Sequence, residues 1–71
     1  MIKTELKKFI SNICNLMDYM DSVSSKRSLY DQCFGAVAFA VQMANDKTLE
    51  KELMDMWYGD WKEKLEEKVY A

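Results

Sequence analysis

Apolar residues near the start of the chain recur every three or four positions: Ile2, Leu6, Phe9, Ile10, Ile13, Leu16, Met17 and Met20. An α-helix turns about 100° per residue, so this spacing gathers them into one stripe. Lysines, Asn12, Asn15 and Asp18 fall elsewhere on the wheel. The chain has no proline, only two glycines and no Asn-Gly hairpin signal, which argues against the all-β classes. The pattern predicts an all-α fold.

The first stripe ends in Ser22–Ser28, "SVSSKRS", where serines favour turns and caps over helix interiors. The first helix is expected over about 4–22, with Thr4 a candidate N-cap and Glu5 placed for the positive end of the dipole. The second is expected over 26–44, capped by Ser25 or Ser28. Its apolar arc, including Leu29, Tyr30, Cys33, Phe34, Val37, Ala40 and Val41, covers more than half the circumference, as suits a helix with neighbours on two sides. Phe39 stands apart from that arc, among Gln32, Gly35 and Gln42. "NDKT", Asn45 to Thr48, breaks the helix, with Asn45 a candidate left-handed cap and Asp46 or Thr48 an N-cap.

The third helix, over 48–69, carries Leu49, Leu53, Trp57, Trp61, Leu65 and Val69 at four-residue steps. Each step drifts about 40° on a straight helix, roughly 200° over the row. A kink or break near Gly59 would relieve it, and Asp60 with Glu63 has capping-box spacing. Trp57 is expected to be buried, Trp61 at the core edge, and Tyr58 more exposed than either. The architecture expected for the single domain 1–71 is a three-helix bundle. The alternative is a helical hairpin whose third helix completes the core as the chain packs into a dimer.

At 71 residues, 49% apolar and 31% charged, the chain is too apolar to be disordered yet near the size where core burial becomes marginal. Ten basic and twelve acidic residues give a net charge of −2, and the acidic excess lies in 46–71. Lys26 and Arg27, with Lys3, Lys7 and Lys8, are too few and too divided to argue for nucleic acid. The start has no signal-peptide core, and the longest apolar run, Cys33–Val41, is far short of the roughly 20 residues that span a bilayer. These features point to a cytoplasmic protein outside the membrane.

Catalytic signals are missing. There is no histidine, no glycine-rich phosphate loop and no nucleophile elbow. Glu50 with Glu52, and Glu63 with Glu66 and Glu67, are interleaved with lysines as on a solvated face. Two cysteines without histidine make a poor zinc site. No metal or cofactor is expected. If the first two helices form an antiparallel hairpin turning near 23–24, facing residues have numbers totalling about 47, which pairs Cys14 with Cys33. That pair reads as two small, reduced, buried residues more readily than as a disulfide.

Two tryptophans, Tyr58, Phe39 and six methionines exceed what three helices of this length readily bury. The residues expected at an interface are Gly35, Phe39, Met43, Met54, Tyr58 and Trp61. The functional expectation is a small, non-catalytic helical protein–protein interaction module, a homodimer that binds a further, unidentified protein. A DNA-associated regulatory protein is the alternative.

Overall fold

A computed structural model describes residues 2–70. Helices α1 (Ile2–Met17), α2 (Val23–Met43), α3 (Lys47–Met56) and α4 (Lys62–Tyr70) follow one another, α3 and α4 being joined by a π-helical turn at Trp57–Trp61. No strand occurs among the described residues. The all-α bundle read from the sequence is the fold observed: α1, α2 and the long α3–α4 helix pack against each other.

Helix boundaries follow local hydrogen bonding. α1 begins at Ile2, so Thr4 lies within its first turn rather than capping it. It stops at Met17, five residues before the expected end, because the N–H groups of Asp18, Tyr19 and Met20 turn to carbonyls only three residues back. That tightening closes the helix and starts the turn. The cap of α2 is Ser22, earlier than Ser25 or Ser28; its hydroxyl accepts the Ser25 N–H at 3.1 Å. α2 ends at Ala44 in extended backbone, not at a left-handed Asn45, and no described residue has positive φ. Of the two caps considered for the third helix, Asp46 is the one used, its carboxylate accepting the Leu49 N–H at 2.7 Å.

Cross-helix polar contacts give the topology. Lys3 pairs with Glu52 on α3, and Asp18, just past α1, with Lys68 on α4 at 2.7 Å. α1 therefore runs parallel to α3–α4. Arg27, near the start of α2, donates to the hydroxyl of Tyr70 at the end of α4 at 2.6 Å, so α2 is antiparallel to both. Asp18, just past α1, and Arg27, near the start of α2, both bond the last turn of α4, at Lys68 and Tyr70, so the hairpin pairs close to the register expected, with facing numbers totalling about 47.

The core is a single cluster: Leu6, Ile10, Ile13, Cys14 and Met17 from α1; Leu29, Cys33, Val37 and Ala40 from α2; Leu53, Trp57, Leu65 and Val69 from the long helix. Among the described residues no polar or charged side chain is buried. The irregularity expected near Gly59 is a π turn. Lys62 N–H donates to the Trp57 carbonyl five residues back, while Gly59 stays in right-handed backbone, so the chain does not end a helix there in a left-handed cap. A π turn holds one residue more than an α turn and takes up about 100° of helical phase. Trp57 and Leu65, eight residues apart, would diverge by about 80° on a plain α-helix. With one residue absorbed they behave as though seven apart and fall within about 20°, so both are buried.

Candidate interaction surfaces

Between Asp31 and Asp46 the chain carries no charged residue, and the outward side of α2 in this stretch is Gln32, Gly35, Phe39, Gln42 and Met43, all exposed. Phe39 is 66% exposed. A β-carbon added at Gly35 would meet nothing within 4 Å, so neither steric crowding nor backbone conformation calls for glycine there. An interior helical glycine costs about 1 kcal/mol relative to alanine.

On the adjoining flank of α2, Phe34, Val37, Ala38, Val41 and Gln42 meet Met54, Trp57 and Tyr58 in a shallow, mostly apolar groove of about 210 Å³. Its floor is Trp57, 2% exposed, whose ring lies 5.8 Å from Tyr30 and 5.7 Å from Phe34, tilted by 55° to each. These are edge-inclined aromatic contacts, worth about 0.5–1.5 kcal/mol each beyond area burial. Tyr58, one residue later, is 63% exposed. Trp61 is half-buried, at the edge of the core. All three ring environments match the sequence-based expectation.

A third depression, between α1 and α4, is lined by Lys7, Ser11, Cys14, Asn15, Trp61, Lys64 and Lys68. Lys68 is engaged with Asp18, which raises its pKa. The glutamates of α4 lie elsewhere, Glu63, Glu66 and Glu67 sharing a depression with Tyr58 and Lys62. There the Lys62 ammonium bonds Glu66 at 2.7 Å and holds its carboxyl below the usual range, while Lys62 is raised by the same bond. Burial and then the nearby Glu66 charge push the Tyr30 phenol up. Arg27 lies over the Tyr30 ring at 5.3 Å, so these groups clasp the start of α2 to α4.

Cys14 and Cys33 are free thiols, both buried. Burial, then proximity to Cys14, pushes the Cys33 thiol up to about 12. A thiol held neutral is a weak nucleophile and metal ligand. Among the described residues no group of three or more His, Cys, Asp or Glu side chains could hold a metal ion, and no helix is long and apolar enough to cross a membrane.

The six residues expected at an interface thus occupy three places. Gly35, Phe39 and Met43 are on the outside of α2; Met54 and Tyr58 border the apolar groove; Trp61 belongs to the lysine-lined depression. Sequence reasoning passed over Phe34, which is half exposed on the groove. It also placed Ile2, Phe9 and Leu16 within the core stripe, although they are exposed. Their seven-residue spacing, at the margin of the stripe, was the available signal. No protein family, curated protein or solved structure matches this chain.

Proposed function

We propose that the protein is a small interaction module without catalytic activity, which self-associates and presents its remaining apolar surface to another protein. The observation that carries this reading is the uncharged, exposed outer side of α2, where Phe39 and Met43 project beside a glycine that nothing within the chain requires. Exposed aromatic and methionine side chains on an uncharged surface are what interface cores are made of. The two free thiols support a reducing, cytoplasmic setting.

Sedimentation at high micromolar concentration tests the proposal. The wild-type chain is expected to dimerise. Phe39→Asp is expected to weaken dimerisation at least tenfold with helicity retained, because the side chain is outside the core. A strictly monomeric wild type would overturn it. The second reading, a DNA-associated regulator, has one observation behind it, the three lysines of the α1–α4 depression. Binding to random duplex that falls steeply with salt would favour that reading.

A further inference from the structure

The exposed apolar residues on the α1–α2 side of the bundle form a pattern with a centre. α1 faces α4 with Lys7, Ser11, Cys14 and Asn15. At about 100° per residue, Ile2, Phe9 and Leu16 therefore lie on its opposite flank, beside α2. α2 meets α3 with Phe34, Ala38 and Val41, which by the same geometry puts Phe39 and Met43 on the flank beside α1. The row Ile2, Phe9, Leu16 advances by seven and is symmetric about Phe9. Within α2 the uncharged stretch runs from Gln32 to Met43 and has its midpoint between Val37 and Ala38. In the register to which the cross-helix contacts point, level positions on α1 and α2 total about 47, and Phe9 is about level with Ala38. Two centres, found on different helices by different criteria, coincide in height.

A two-fold interface must be self-complementary, residue i meeting j and j meeting i, and an apolar row symmetric about Phe9 meets this because apolar side chains face apolar ones after a half-turn. Resting on the self-association proposed above, we infer that a second copy docks on the α1–α2 face about a two-fold axis perpendicular to the helices, level with Phe9 and Ala38. α1 of one protomer packs antiparallel on α1 of its partner, with Phe9 against Phe9 and Ile2 against Leu16. α2 packs likewise on α2, and the missing side chain at Gly35 lets the backbones approach beside Phe39. The size of the molecule favours the whole two-helix face over a single ridge. α1 and α2 are about 24 and 32 Å long, and across a bundle 18 Å wide their shared face offers on the order of 500 Å² in projection, so an interface approaching the roughly 800 Å² of accessible surface per partner needs all of it. Glu5 and Asn12 lie on the same side of α1, about 40° and 60° round from Phe9, so the contact carries polar groups alongside the apolar row.

Single-cysteine cross-linking under mild oxidation tests the axis, with the native thiols buried and Tyr58→Cys as a control for random collision. Phe9→Cys is expected to form a disulfide-linked dimer, since position 9 lies beside its own copy. Leu16→Cys alone is expected not to, because the two copies of position 16 are about 21 Å apart along the helix. Mixed Ile2→Cys and Leu16→Cys chains should cross-link, and they decide the matter if Phe9→Cys loses helicity. A wild type that dimerises while neither Phe9→Cys nor the mixed pair exceeds the Tyr58→Cys control would overturn the axis and leave self-association standing. A monomeric wild type would overturn both.

Discussion

The backbone N–H of Lys62 donates to the carbonyl of Trp57, five residues back, while Gly59 between them keeps right-handed backbone with open space where a side chain would be. Gly59 is therefore not held by a left-handed turn or a close contact. Gly59→Ala should stabilise the protein by about 0.4–1 kcal/mol, chiefly by restricting the unfolded chain. Urea or thermal unfolding measures it, and clear destabilisation would show that the π turn needs glycine for a reason outside the contacts described.

Trp57 joins the long helix to α2 through Tyr30 and Phe34, and it is also the floor of the apolar groove. Trp57→Ala removes a nearly fully buried indole from a chain of marginal size. A loss of about 3–5 kcal/mol is expected, enough to unfold a large fraction of molecules. Trp61→Ala should cost distinctly less, because Trp61 is only half-buried. Equal losses for the two would contradict the burial difference that the π turn creates.

The fold was largely legible because its main determinants are periodic. The first stripe, the wide arc of α2 and the turn segments each specify a helix or its end without reference to the rest of the chain. The drift of the four-residue row identified Gly59 as the place of an irregularity, and the burial order of Trp57, Trp61 and Tyr58 followed from it. Its form was not legible, because a left-handed break and a π turn both correct phase and differ only in backbone hydrogen bonding. The interaction surface was less accessible still. Ile2, Phe9 and Leu16 share the stripe of Leu6, Ile10 and Ile13, and only the position of α4 along the Lys7–Ser11 flank reveals which edge of the stripe is left uncovered. A wheel gives the apolar arc but not the neighbours that divide it.

Cys33 makes stability sensitive to high pH. Its folded pKa is raised from 9.0 to about 12 by burial, then by Cys14. Below the unfolded value the thiol is neutral in both states and its contribution is fully present. As pH rises from about 9 toward 12 the unfolded chain gains a thiolate that the core disfavours, and the contribution is lost. Stability should therefore decline over this window, and Cys33→Ala should flatten that decline despite a lower starting value from the cavity. Denaturant titrations at pH 8, 9 and 10 are the measurement. Parallel curves for the two proteins would mean that the thiol is not kept from ionising.

If the π turn is one residue inserted into an otherwise phased helix, removing that residue should be tolerated. Deleting Gly59 leaves Trp57 and Leu65 seven positions apart, within about 20° on an α-helix, so Leu53, Trp57, Leu65 and Val69 all keep their side of the bundle. The Lys62 N–H to Trp57 carbonyl bond becomes an ordinary four-residue helical bond, and a residue of low helix propensity is lost. The deletion variant should unfold cooperatively at or above the wild-type midpoint. If Gln32, an exposed residue of α2, is deleted instead, there is no π turn to absorb the loss. This deletion rotates Leu29 by about 100° relative to Cys33, Val37 and Ala40 and should unfold the chain. If the two deletions proved equally damaging, the π turn would be no phase-setting insertion, and the burial of Leu65 and Val69 would need another cause.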